Sequence, residues 1–403
     1  MTVVFPTDVA QVVDAIYPPA RQALADSLAG ISRRLFVVDT IVQLGIIIAF
    51  WRSGAASRLR DFLEGIVRVG QARPLDAFRT FLVAFVFVSI ALLGYAIVTL
   101  PLAWYGGYTV PHAFGLSAES PLQWLRDWAV SLGLSTTIAA LIAALFVLVA
   151  GKMPRRWPLL AAAIALPLIL FAFAIFPVFV APLFNTFTPM PRSKLSDAIL
   201  ALAHAQGVNA TVVYEYDMSR QTNEANAYVA GIDGTQRIAV GDTLLRELRA
   251  DEVLYVLAHE IGHYKLGHLW IGAALTWLDA VIAVTVLYAI AKKSGQNLGD
   301  PAVLPFAALV LVVYGLITAP ISNGFSRRIE HAADAFAAAH TRLDGAGVRA
   351  FARIADEDLA PLHPPAFIVW YFYTHPPIDE RIMFAHRAAV RALGPNAPLT
   401  SFP

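Results

Sequence analysis

The sequence contains no cysteine and little charge. None of its 403 residues is cysteine, which excludes disulfide bonds, thiolate metal sites and catalytic cysteines. Only 15% of the residues are charged, whereas ordinary soluble domains carry about a quarter. The formal net charge is +1, far from the basic excess that is typical of nucleic-acid-binding proteins. Because 58% of the residues are hydrophobic, the composition predicts a chain that lies partly in a lipid bilayer, with no nucleic-acid partner.

Six apolar stretches predict membrane-spanning helices, since a span needs about 20 mostly apolar residues. Residues 80–104, 128–151, 157–181 and 301–325 contain no Asp, Glu, Lys or Arg. A fifth stretch, 269–291, carries one acid, Asp279, and the shorter stretch 35–51 carries Asp39. Acids inside a span usually face the bundle interior or a wet cavity. For both acids we favour structural pairing slightly over a functional role.

The predicted fold class is therefore mainly α, a polytopic bundle of about six spans combined with polar segments. The first 34 residues lack the continuous apolar run of a signal peptide, and we interpret them as a polar amphipathic segment. Helical patterning at 193–206 and strand-like patterning at 211–216 precede two short strands around a glycine-containing turn at 227–240. The predicted organisation is a polar segment (1–34), four spans (35–181), a first polar part (182–268), two spans (269–325) and a second polar part (326–403).

One motif carries a recognisable chemistry. Residues 259–263 read His-Glu-Ile-Gly-His, an HExxH motif, and residues four apart share one face of a helix. His259 and His263 can therefore point at one metal ion, while Glu260 can act as base for a water. Apolar residues at helical spacing precede the motif, with Asp251 as a candidate N-cap. Two histidines that only complete a polar helix face are the alternative interpretation.

A catalytic metal site takes three protein ligands, so a third must come from elsewhere. Glu330 and Asp334 lie one turn apart in a second helical pattern, for which Ser326 is a candidate cap. One of these acids can bind the metal while the other orients a ligand histidine. The alternative is a solvated acidic helix face, which the surrounding small residues disfavour.

These residues resemble a known family. The runs HEIGHYKLGH, SRRIEHAADAFA and THPPIDERI, with APLFNTFTPMPRSKL and NEANAYVAG upstream, are similar to the CAAX prenyl protease 1 family of membrane zinc peptidases (class M48). The resemblance implies a helical bundle enclosing a chamber, with a zincin-like domain that contains a small sheet. It also implies one Zn²⁺ held by His259, His263 and Glu330, with Glu260 as the general base. Asp334 is then the residue that orients a ligand histidine.

The resemblance further implies an edge strand at Asn226, Ala227 and Tyr228 along which an extended peptide is laid, a mode that relies on main-chain hydrogen bonds. It places His375 near the metal as a donor to the oxyanion, although a turn histidine before Pro376 is the alternative. Arg327 and Arg381 are candidates to pair with site carboxylates or to hold the substrate terminus.

The expected function is that of a zinc metalloendopeptidase acting on membrane-associated or prenylated peptides. Two alternatives stay open: an HtpX-like quality-control protease, and a transporter or lipid-binding membrane protein with a structural zinc site. The latter requires a fourth protein ligand, and neither His331 nor His268 is expected to point at the metal. No obligate protein partner is evident.

We expect an integral protein of a bacterial inner membrane, or of the endoplasmic reticulum if the chain is eukaryotic. Two arguments about its orientation disagree. The resemblance implies a cytosolic site, whereas arginines in the loop at 52–79 favour the opposite orientation by the positive-inside rule. We favour the orientation of the family.

Overall fold

A computed structural model describes residues 3–67, 77–231, 236–341 and 343–394. Its helices are α1 (Thr7–Ile16), α2 (Pro19–Arg52), α3 (Ala55–Val67), α4 (Ala77–Trp104), α5 (Val110–Ala113), α6 (Pro121–Lys152), α7 (Trp157–Ile175), α8 (Lys194–Ala205), α9 (Asp242–Glu247), α10 (Ala250–Lys265), α11 (His268–Lys293), α12 (Leu304–Thr341), α13 (Asp344–Glu357), α14 (Ala366–Phe372) and α15 (Ile378–Leu393). The strands are β1 (Phe187–Pro189), β2 (Val213–Tyr216), β3 (Ala227–Ala230) and β4 (Arg237–Gly241).

Six helical segments of the described chain are long and apolar enough to cross a membrane, which confirms the predicted number. They comprise α2, α4 with α5, α6, α7, α11 and α12. Their large apolar side chains point outward; Leu159 of α7 is 73% exposed and Phe171 is 61% exposed. Such exposure is costly in water and favourable against lipid tails, so these helices form a membrane-embedded bundle.

Two membrane helices extend beyond the apolar stretches that predicted them. Helix α2 begins at Pro19 and crosses the boundary expected at residue 34, so the polar N-terminal segment is continuous with the first span. Helix α12 runs for 38 residues from the membrane into the second polar part. The prediction that a new helix begins at Ser326 is therefore wrong, because α12 continues without a break through Pro320, Gly324 and Ser326.

The acid in the fifth span is paired, as expected. The hydroxyl of Tyr314 on α12 donates to Asp279 Oδ1 on α11 at 2.7 Å. A carboxyl group without a partner inside the membrane would have a high free-energy cost. The hydrogen bond removes part of this cost and links α11 to α12.

The small sheet has the order β1-β2-β4-β3. Strands β1 and β2 are antiparallel, β2 and β4 parallel, and β4 and β3 antiparallel, so β3 lies at one edge. The predicted hairpin is confirmed by the pairing of Ala227 with Val240. A Cβ at Gly241 would lie 2.9 Å from the carbonyl oxygen of Asn226, so glycine lets β3 approach β4 closely at its start.

Helix α10 lies between the sheet and the helices of the second polar part. Its Val253, Leu257 and Ile261 are fully buried in a cluster with Ile238 of β4. Its Tyr255 and Ala258 belong to a second cluster formed with α13 and α15. Burial on several sides fixes the helix rigidly, which is what a metal-binding motif on it requires.

Candidate active site

The HExxH motif lies in the second half of α10, as predicted. The helix begins after Arg249, whose backbone N–H donates to Glu252 Oε2 at 2.9 Å. Asp251 is therefore not the N-cap but a residue of the first turn, where it pairs with Arg349. Arg349 also binds Glu252 at 3.0 Å, which attaches the start of α10 to α13.

Three side chains from α10 and α12 converge on one point. The Nε2 atoms of His259 and His263 lie 3.0 Å apart. Glu330 reaches between them, with Oε2 at 3.2 Å from His259 Nε2 and Oε1 at 3.5 Å from His263 Nε2. One ligand atom from each of the three residues lies within 4.8 Å of the others. The helix spacing of the motif and the continuity of α12 produce this cluster.

The separations within this cluster suit a tetrahedral metal ion. Ligand atoms of a zinc ion with bonds of about 2.05 Å are about 3.3 Å apart. The observed separations of 3.0, 3.2 and 3.5 Å lie around that value. In addition, Glu330 Oε2 is buried and makes no hydrogen bond to a described residue. A buried carboxylate oxygen with ring nitrogens close by fits a cation among them, so the residues present fit the metal.

Asp334 lies one turn beyond Glu330 and is fully buried. His259 Nδ1 donates to Asp334 Oδ1 at 2.8 Å. Arg381 of α15 donates from Nη2 and Nε to the two oxygens of the same carboxylate, at 2.7 and 3.0 Å. Burial lowers the pKa of His259, but the adjacent carboxylates of Asp334 and Glu330 outweigh this and raise it to about 9. Asp334 thus fixes the His259 ring so that Nε2 faces the cluster.

Sequence analysis missed the role of His268. Its Nδ1 lies 2.9 Å from His263 Nδ1, the ring nitrogen of His263 that does not face the cluster. The contact depends on a break between two helices, since α10 ends at Lys265 and Gly267 adopts a left-handed conformation with φ of 68°. The chain reverses there and returns His268 to His263. The signal available in the sequence was a histidine directly before a predicted span, three residues beyond the end of α10.

Glu260 lies beside the cluster in a groove of about 340 Å³. The residues that line the groove include Asn226, Ala227, His259, His375 and Arg381. Burial raises the pKa of the Glu260 carboxyl, against the lowering effect of both motif histidines. The structure therefore brings Glu260, the start of the edge strand and His375 into one groove.

His375 is close to the cluster: its Nε2 lies 3.3 Å from Glu330 Oε2. Burial lowers the pKa of this imidazole, more than Glu330 raises it. Arg327 does not reach the site carboxylates. It donates instead to the backbone carbonyls of Val369 and Tyr373, at 2.9 and 2.5 Å, and so supports the segment that leads to His375.

The start of the predicted edge strand, at Asn226 and Ala227, lines the groove. Gly241 N–H donates to the carbonyl of Asn226 at 2.9 Å. In an antiparallel ladder alternate residues point to the partner, so Asn226 and Tyr228 face β4 while Ala227 and Val229 turn their N–H and C=O outward. The ring of Tyr228 packs against Tyr216, with centroids 6.0 Å apart.

A membrane helical bundle with an HExxH helix, and a glutamate supplied by the helix that packs on it, defines the class of integral-membrane metalloproteases. Residues 189–389 match peptidase family M48, and residues 14–186 match the domain described as CAAX prenyl protease N-terminal, five membrane helices. The uncharacterized metalloprotease YhfN of Bacillus subtilis is 31% identical, over 92% of this chain and 86% of that protein.

Two further relatives agree with this assignment. CAAX prenyl protease 1 of Saccharomyces cerevisiae is 26% identical, over 71% of this chain and 68% of that protein. The crystal structure of S. mikatae Ste24p shares the fold, with a TM-score of 0.78 at 22% identity, covering 93% of this chain and 92% of that chain. The chain belongs to peptidase family M48 and is a membrane metalloendopeptidase. The predicted fold class, enzyme class and membrane location are thereby confirmed, and the transporter and quality-control alternatives are not favoured.

Proposed function

We propose that the protein is a zinc-dependent endopeptidase that cleaves membrane-associated, prenylated peptides. His259, His263 and Glu330 hold one Zn²⁺, and Glu260 is the general base. The observation that carries this proposal is the convergence of the three ligand atoms beside a groove that one free strand edge also lines.

Two imidazoles and one carboxylate are a donor set typical of catalytic zinc, which keeps a further position open. When bound, the ion supplies Lewis acidity that polarises the scissile carbonyl and acidifies water. Asp334 and His268 hold the Nδ1 atoms of His259 and His263, respectively. Each ring is thereby kept in the tautomer that leaves Nε2 free for the metal.

Glu260 takes a proton from the attacking water and delivers it to the leaving amine. A raised pKa suits this double task, because an efficient general base titrates close to the working pH. Burial is the main cause of the raised pKa, so the position of Glu260 in the groove makes its carboxylate a stronger base. His375 is kept neutral by burial and donates a hydrogen bond to the oxyanion that develops on the scissile carbonyl.

The substrate peptide binds as an added strand along β3. The outward N–H and C=O groups of Ala227 and Val229 match the hydrogen-bonding pattern of an extended chain. Asn226 and Ala227 line the same groove as Glu260, so a peptide paired there passes the base. Because main-chain bonds dominate, this binding mode tolerates many side chains.

A lipidated substrate is supported by how the site is joined to the membrane. His263 precedes span α11 by five residues, and Glu330 lies on the helix that contains the last span. The relative from Saccharomyces cerevisiae carries the name CAAX prenyl protease 1. A peptide anchored in the bilayer by a prenyl chain reaches this groove without leaving the membrane surface.

The test compares a farnesylated peptide with its unmodified counterpart, using purified wild-type protein and Glu260→Gln as control. Cleavage of the farnesylated peptide alone, lost in Glu260→Gln with zinc retained, is expected. Equal cleavage of both peptides would refute the lipid requirement and indicate a broad membrane peptidase. Full activity of Glu260→Gln would refute the assignment of the base.

A further inference from the structure

A second and larger cavity lies behind the catalytic groove. Its volume is about 860 Å³, and its lining comes mainly from α12, α14 and α15. Arg381 and Pro376 line both cavities and so form the wall between them. We call it the α12–α15 pocket. Nothing in the proposed peptidase reaction uses it.

Helices α12 and α15 run antiparallel along this pocket, as two contacts show. Asp334 binds Arg381 at 2.7 Å, and three residues further towards the membrane the ring of His331 meets that of Phe384 at 4.8 Å. One more step of three residues brings Arg328 opposite Arg387, and both line the pocket. Two arginines thus lie between the Asp334–Arg381 ion pair and the apolar residues Ile321 and Phe325, which are nearer the bilayer.

The charges of the pocket do not balance. Four arginines line it against two carboxylates, Asp334 and Glu380. Asp334 is already bound by Arg381, and Arg327 is bound to backbone carbonyls. Within the described ranges, neither Arg328 nor Arg387 has a carboxylate within 4.0 Å; Arg328 lies over the ring of Phe325 at 6.0 Å. This end of the pocket is therefore a site of positive potential.

Beside these arginines the pocket wall is apolar and exposed. Ile321 is 62% exposed, Phe325 43% and Trp370 52%, and all three line the pocket. Ile321 and Phe325 belong to the last residues of the predicted span 301–325, where α12 leaves the hydrocarbon. Trp at such a depth is typical of the membrane interface. The pocket is thus basic on its watery side and apolar on the side that faces lipid tails.

We propose that the α12–α15 pocket binds one anionic phospholipid. Its phosphate lies between Arg328 and Arg387, and an acyl chain follows Ile321, Phe325 and Trp370. Guanidinium groups bind phosphate strongly, and basic pockets beside membrane helices are suited to anionic headgroups. A free phosphate would leave the apolar wall unused, and a neutral lipid would leave the two arginines without a counter-charge. The occupant also stabilises the wall that carries Arg381.

Native mass spectrometry of the full-length protein tests this proposal by titration with phosphatidylglycerol and with phosphatidylcholine of identical chains. The variant Arg328→Gln/Arg387→Gln is compared with Arg155→Gln/Arg156→Gln, which removes the same charge from an exposed loop between α6 and α7. We expect one phosphatidylglycerol to bind the wild type preferentially. The pocket variant should bind it about 30-fold more weakly, since each arginine near an anionic headgroup contributes about a factor of five.

The loop variant should bind phosphatidylglycerol like the wild type. Equal losses in both variants would overturn the proposal, because they would indicate a general attraction of the charged surface. Equal binding of the two lipids by the wild type would overturn it as well. Glycerol phosphate that competes as strongly as the whole lipid would show a phosphate site without a lipid. Thermal unfolding confirms that each variant is folded, and peptidase activity towards the farnesylated peptide tests the proposed reaction separately.

Discussion

Replacement of Asp334 is the most informative perturbation of the site. This carboxylate is fully buried and accepts bonds from His259 Nδ1 and from two nitrogens of Arg381. Asp334→Ala removes the partner that orients the ligand ring and leaves a buried guanidinium without its counter-charge. We expect two separable effects, one on metal binding and one on stability.

Their magnitudes follow from the contacts. Loss of the residue that orients a ligand histidine lowers metal affinity by about 10- to 100-fold. Breaking a buried ion pair from one side costs about 3–5 kcal/mol of stability, because the remaining charge stays unpaired. In Asp334→Ala/Arg381→Met that unpaired charge is gone. The double variant should therefore recover much of the stability while metal affinity stays low.

Zinc affinity is measured by competition with a chelator, and stability by thermal unfolding of the metal-free protein. Asp356→Ala is a matched control, since Asp356 pairs with Arg21 far from the metal ligands. Zinc affinity within threefold of the wild type in Asp334→Ala would refute the orienting role. Additive losses of stability in the double variant would refute the ion-pair reasoning.

Three further predictions concern residues around the site. His268→Ala removes the contact to His263 Nδ1 and should weaken zinc binding about 10-fold or more in a chelator competition, whereas an unchanged affinity would exclude a supporting role. Val229→Pro removes an outward N–H of β3 and should raise KM for peptide without unfolding the sheet; Val229→Ala keeps the N–H and should behave like the wild type. Burial raises the pKa of Asp358, which accepts from the N–H of Ala225, from 3.8 to about 7. The protonated carboxyl is favoured in the fold, so stability should fall as pH rises from about 4 through 7. The melting temperature of Asp358→Asn should not fall over this pH range. Identical pH profiles of the variant and the wild type would contradict the prediction.

Periodic features of the sequence predicted the fold well. Apolar runs identified the six spans, and alternation around a glycine identified the hairpin of β3 and β4. The motif spacing of four residues placed His259 and His263 on one face, because both lie within one uninterrupted helix. These predictions depend on local backbone geometry, which can be inferred from the spacing of residues along the sequence.

Features that depend on tertiary contacts were harder to predict. The serine and glutamate at positions 326 and 330 resemble a helix start, yet packing carries α12 straight through them. The contact between His268 and His263 does not follow from their spacing, because the left-handed Gly267 turns the chain between them. The bond between Arg381 and Asp334 joins residues 47 positions apart, and no spacing rule reports such a pair.

The continuity of α12 links the chemistry of the site to the thickness of the bilayer. At 1.5 Å per residue, Glu330 stands about 15 Å beyond Pro320, which lies in the span. A change of tilt by about 10°, of the kind that hydrophobic mismatch produces, would move Glu330 by about 3 Å. His259 belongs to another helix that is fixed against the sheet, so such a movement would separate one metal ligand from the other two. Bilayer thickness therefore controls the distance between Glu330 and the two histidines. The protein should lose turnover in membranes that are too thin or too thick for its spans.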